Sequence, residues 1–188
     1  MIVPLRFRKR TWFLSVGILC LSAVTAHAQS FGLSAPLNAD AIIDAGIDEY
    51  PQVATDGSTW IAVWESNDGL GGTLGTDFDI LTATSTDGGA TWSAPTALNT
   101  GAGSDVDDDT HPQLTTDGNG TWIAVWETFD TSGLLDDYDI LVARSVDDGA
   151  TWSAPVPLNT NAGSDVGNDV FPQVTTDGNG VWVAAWWS

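Results

Sequence analysis

From Tyr50 onward the chain alternates between short apolar stretches and clusters of Gly, Asp, Asn and Thr. In "TWIAVW" (residues 121–126), Trp122, Ala124 and Trp126 fall on one side of an extended chain, and Ile123 and Val125 on the other. Both faces are apolar, so this strand belongs to a sheet covered on each side. "PQVTT", "DILVARS" and "WSAPVPLN" read as further strands, with "TDGNG" and "VDDGAT" as the turns between them. No segment carries a convincing helical period.

The pattern repeats. "YPQVATDGSTWIAVWE" from Tyr50, "HPQLTTDGNGTWIAVWE" from His111 and "FPQVTTDGNGVWVAAWW" from Phe171 align. So do "FDILTATSTDGGATWSAPTALNT" from Phe78 and "YDILVARSVDDGATWSAPVPLNT" from Tyr138, giving a period of about sixty residues. Four short strands per unit, stacked face to face, predict an all-β chain folded as a β-propeller of four-stranded antiparallel blades. Residues 50–100 and 111–160 each supply a blade, 171–188 begin another, and 31–38 ("FGLSAPLN") match a lone fourth strand. About two and a half blades are therefore expected.

The turn between the third and fourth strands follows S-x-D-x-G-x-T-W. Ser85, Asp87, Gly89, Thr91 and Trp92 fill it once, and Ser145, Asp147, Gly149, Thr151 and Trp152 fill it again. An Asp in a tight hairpin can accept the N–H groups the turn leaves unpaired, Gly supplies positive φ, and Trp drops apolar surface between sheets. A catalytic acid has no reason to recur once per blade, so these residues are expected to be structural fasteners.

These two phrases resemble the Asp-box, or BNR, repeat of the sialidase-like superfamily. The resemblance implies a six-bladed ring and exo-α-sialidase activity, with an arginine triad, a Glu-assisted Tyr nucleophile and an acid/base Asp. The Arg-Ile-Pro motif of that family has no match. The nearest counterparts are Tyr50-Pro51-Gln52, His111-Pro112-Gln113 and Phe171-Pro172-Gln173. Tyr50, His111 and Phe171 share one recurring aromatic slot, and Tyr138 shares another with Phe78, so packing roles are expected for all of them. No catalytic residue is identified. The expected function is an exported, non-catalytic binding or scaffold propeller. The alternative is a fragment of an exo-α-sialidase or related glycoside hydrolase whose arginine triad lies in further blades.

Charge sharpens this reading. Residues 1–28 place Arg6, Arg8, Lys9 and Arg10 before an apolar run ending in Ala26-His27-Ala28, the layout of a secretory signal peptide. The expected location is therefore secreted or periplasmic. Beyond it stands one strong cation, Arg144, against all 25 acidic residues. Such a surface repels nucleic acid and anionic membranes, leaving a glycan or an extracellular protein as the expected partner. Cys20 lies in the signal segment, so no disulfide framework is expected.

No cofactor is required by these motifs, but the acidic loops offer oxygen to a hard cation such as calcium. Asp105, Asp107 and Asp109 are the candidate ligands, with Asp108 beside them and Asp165 and Asp169 in the next unit. "DVDDDTHPQLTT" lacks the glycine and final glutamate of an EF-hand loop. Asp68, Asp77, Asp130, Asp136 and Asp137 offer the same chemistry at lower density.

Overall fold

The computed structural model describes residues 37, 46–129, 137–164 and 166–188. The signal segment, the 31–38 strand apart from Leu37, and Asp130, Asp136 and Asp165 lie outside the described residues.

The described chain is a partial β-propeller of antiparallel sheets without a helix. One sheet contains β1 (Asp48–Thr55), β2 (Trp60–Ser66), β3 (Asp79–Ser85) and β4 (Thr96–Ala97), hydrogen-bonded in that order. The next contains β5 (Asp109–Thr116), β6 (Trp122–Phe129), β7 (Tyr138–Ser145) and β8 (Val156–Pro157) in the same order. β9 (Val170–Thr176) and β10 (Trp182–Trp187) form a third, two-stranded sheet. The first strands β1, β5 and β9 approach one another, whereas β4 and β8 do not, so the sheets fan outward from an inner edge.

The fourth strand is shorter than "WSAPVPLN" suggests. β8 pairs with β7 through only Val142↔Val156 and Leu141↔Pro157. Pro155 and Pro157 have no N–H to donate, so the ladder is thin there. Isolated bonds extend it at both ends, from Ser153 N–H to Arg144 O and from Leu158 N–H to Ile140 O.

Two-faced strands produce a directional seam. Ile61, Val63, Ile80 and Leu98 project from the first sheet onto Trp122, Ala124, Trp126 and Ala143 of the second, and all eight are buried. The opposite face of the first sheet repeats the Trp/Ala side, with Ala62, Trp64, Leu81 and Ala83 packed together. Each blade thus presents branched aliphatics on one side and Trp and Ala on the other, so large and small side chains interdigitate. Burial of Trp122 and Trp126 contributes on the order of 2–3 kcal/mol each.

Each first strand carries a bulge at its aromatic-Pro pair. The β1–β2 register shifts between Glu49 and Gln52, and the β5–β6 register between Thr110 and Gln113. Tyr50, His111 and Phe171 all have positive φ, at 49°, 53° and 55°. Non-glycine residues rarely hold this conformation without compensating contacts.

Candidate functional site

The strand order places the β1–β2, β3–β4, β5–β6 and β7–β8 turns at one end of the sheets. At that end the two S-x-D-x-G-x-T-W hairpins have nearly identical geometry. The Ser85 hydroxyl donates to Asp87 Oδ1 at 2.8 Å and accepts the Gly89 N–H at 3.0 Å. Asp87 accepts the Thr91 N–H at 2.8 Å and the Thr91 hydroxyl at 2.7 Å. In the second copy, Ser145 donates to Asp147 at 2.8 Å, and Thr151 donates its N–H at 2.9 Å and its hydroxyl at 2.6 Å. The Thr91 hydroxyl and N–H, with Ser85, hold the Asp87 carboxyl down at about 2. A carboxylate so depressed and so committed is a poor proton donor. The hairpins also meet the core, for Trp152 packs against the buried cluster at the seam.

The opposite end carries the β2–β3 loops and the connections between sheets, and two cavities open there. The first lies at the inner edge. Tyr50, His111, Gln113, Phe171, Pro172 and Gln173 line a space of about 190 Å³. The rings form a file: Tyr50 to His111 at 4.2 Å between centroids, His111 to Phe171 at 5.1 Å, and Phe171 to Trp187 at 5.8 Å.

The bulged backbone is held by acids from the neighbouring sheet. Glu65 Oε2 accepts the His111 N–H at 2.7 Å, and Glu127 Oε2 accepts the Phe171 N–H at 2.9 Å. Glu127 Oε1 also stands against His111 Nδ1 within its own sheet. Burial raises the Glu65 carboxyl above its ordinary range, with the His111 N–H pulling the other way. These carboxylates are engaged in structure. The aromatic slot therefore does more than pack: it turns the backbone so that each sheet grips the next.

The second cavity, of about 300 Å³, lies between the connection from β4 to β5 and the second sheet. Its walls include Asn99, Asp105, Asp107, Asp109 and Thr128. Asp105, Asp107 and Asp109 do line one cavity. The tightest acidic group, however, is Asp77, Asp79 and Asp105, each offering an oxygen within 4.8 Å of the others. Asn99 is 3% exposed and donates from Nδ2 to Asp79 Oδ1 at 2.9 Å and to Asp109 Oδ2 at 2.7 Å. Burial is the main cause that lifts Asp79 to about 7 and Asp109 to about 8; neighbouring acids add to it.

Asp79 and Asn99 are absent from the sequence-based ligand set, although a signal was present. The D-x-D pair Asp77/Asp79 recurs as Asp137/Asp139, and Asn99 recurs as Asn159. Asn159 repeats the bond to Asp139, at 2.5 Å. Arg144 lies near the hairpin end of β7 and lines a shallow cavity with Val146, Thr151, Trp152 and Ser153. It helps to lower the Asp117 carboxyl in the adjacent turn, after the turn's own N–H bonds. Arg144, the one arginine among the described residues, therefore stands at the hairpin end, away from the aromatic cavity.

No protein-family profile matches the chain, and no curated protein sequence matches it. Solved structures do. An N-acetylgalactosamine deacetylase from F. plautii, in complex with blood group B trisaccharide, aligns at TM-score 0.52 and 17% identity, over 77% of this chain and 46% of its own. The GH93 α-L-arabinofuranosidase of Fusarium graminearum, in complex with arabinobiose, aligns at TM-score 0.51 and 18% identity, over 72% and 38%. A Hadza microbial sialidase, Hz136, aligns at TM-score 0.48 and 22% identity, over 59% and 26%. The chain spans less than half the length of each of these proteins. The first two likenesses show the fold alone, a β-propeller.

Proposed function

We propose that this chain is part of an exported propeller that binds a neutral glycan at its inner edge and does not itself cleave it. The observation that carries the reading is the cavity formed by Tyr50, His111, Phe171, Gln113 and Gln173. Aromatic faces suit the C–H surface of a sugar, and the cavity they line is almost wholly apolar, with Gln113 and Gln173 in its wall. An anionic sugar would meet strong acidity there without a nearby arginine. Hydrolysis needs a free acid and base or nucleophile beside the sugar. Glu65 and Glu127, the acids that grip the aromatic file, are already bonded to the backbone of the next sheet.

In this reading the two Ser-Asp-Gly-Thr-Trp hairpins are fasteners at the far end and take no part in chemistry. Export follows from the N-terminal layout and puts the surface where glycans are found. The solved structures with arabinobiose and blood group B trisaccharide supply suitable probes.

The test is calorimetric titration of the purified protein with arabinobiose, blood group B trisaccharide and a sialylated oligosaccharide, with products followed by chromatography. Saturable binding of a neutral sugar without turnover is expected. Release of a monosaccharide, or preference for the sialylated probe, would overturn the reading.

A further inference from the structure

We propose that Asp77, Asp79 and Asp105 hold a calcium ion, with Asn99 and Asp109 beside it. The three carboxylates come from different elements. Asp77 lies in the β2–β3 loop, Asp79 begins β3, and Asp105 lies in the connection from β4 to β5. Oxygens on opposite sides of a calcium ion stand about 4.6–5.2 Å apart, because each bond is about 2.3–2.6 Å long. The observed span of at most 4.8 Å fits that geometry. The donors are all oxygen, which selects a hard cation.

Orphaned atoms point to the same place. Asp109 is 4% exposed and lines the cavity, and its Oδ1 has no hydrogen-bond partner. The Thr128 hydroxyl and Trp126 indole oppose the effect of burial on Asp109, yet neither closes a hydrogen bond onto that oxygen. Asn99 Oδ1 is likewise buried and unpaired. Asp77 and Asp105 each fold one oxygen over a loop glycine, where a Cβ on Gly75 or Gly101 would overlap it. The other oxygen of each, Asp77 Oδ2 and Asp105 Oδ1, is buried without a partner. Buried carboxylate oxygens left without a donor of their own call for a proton or a cation.

The loops are already positioned for such an ion. Asp109 N–H donates to Phe78 O at 2.7 Å, and Phe78 N–H donates to Asp108 Oδ1 at 3.0 Å. The ion would tie the connecting segment to β3 and so fix where β5 begins. The motif recurs in the next sheet, where Asp169 is 1% exposed and its Oδ1 also lacks a partner.

The test uses the whole purified protein, stripped with a chelator and titrated with calcium chloride by calorimetry and thermal unfolding, with magnesium chloride as control. The expected result is saturable calcium binding, a raised melting midpoint and a weaker response to magnesium. Asp105→Asn, in the connecting loop, should weaken calcium binding at least ten-fold while the chelated variant melts like the chelated parent. No calcium heat and no shift of the midpoint would overturn the site. Parent-like calcium affinity in Asp105→Asn would overturn it too.

Discussion

The Glu65 carboxylate reaches across the seam between the first two sheets and accepts the backbone N–H of His111 at 2.7 Å. Glu127 repeats the reach to Phe171. His111 and Phe171 hold their unusual positive φ where a buried charge fixes the N–H. Glu65→Ala removes a charge-assisted bond and leaves that N–H without its acceptor, a loss of about 1.5–3 kcal/mol. Glu65→Gln keeps an acceptor oxygen and should lose less. Chemical denaturation of the parent and both variants checks the order.

Gly149 and Gly89 occupy the same place in the two hairpins, with φ of +80° and +84°. Only Gly149 lies tightly against a neighbouring sheet, where an added Cβ would overlap Ile61 Cδ1. Ile61 is fully buried and cannot swing away. Gly89→Ala should cost about 1 kcal/mol from backbone strain alone. Gly149→Ala should cost a further 1–3 kcal/mol or so for overpacking. A larger drop in melting temperature for Gly149→Ala is the expected outcome; equal drops would show that the hairpins do not lock sheet to sheet.

Acid should unlock the first hairpin. The carboxyl of Asp87 is lowered to about 2 in the folded chain from an ordinary 3.8. A depressed pKa contributes stability above the unfolded value and loses it as pH falls through the folded one. The melting advantage of the parent over Asp87→Asn should therefore be full above pH ~4 and shrink toward pH ~2. Melting curves of both proteins across that range measure it.

Gln113 lines the aromatic cavity and makes no bond in the sheet-to-sheet grip. Gln113→Ala should weaken neutral-sugar binding by roughly three- to ten-fold, the worth of one hydrogen bond, and leave the melting temperature nearly unchanged. Titration calorimetry beside a melting curve separates the two effects. Unchanged affinity would move the ligand away from this cavity.

The hairpin residues were legible because their chemistry is local. Ser85, Asp87 and Thr91 lie within one turn, and their spacing already implies which N–H groups the carboxylate can reach. The proposed cation site was legible only in part. Asp105, Asp107 and Asp109 stand out as a dense run, but Asp79 hides at the start of an apolar strand, 26 residues before Asp105. Asn99 carries no charge and lies just past the short strand β4, yet it bridges Asp79 and Asp109. The pairing of β3 with β4 brings these residues together, and no sequence window spans it.

By itself, the sequence determined the period, the antiparallel strand order and the two apolar faces of each sheet. These follow from alternation along a strand and from turn chemistry, both properties of neighbouring residues. Only the tertiary structure decided that Tyr50, His111 and Phe171 form one file at the inner edge, that a Glu from the preceding sheet holds the bulges at His111 and Phe171, and that Arg144 stands at the far end. Those relations arise where sheets meet. Positive φ at an aromatic residue becomes tolerable when a carboxylate about 45 residues away in sequence accepts its N–H.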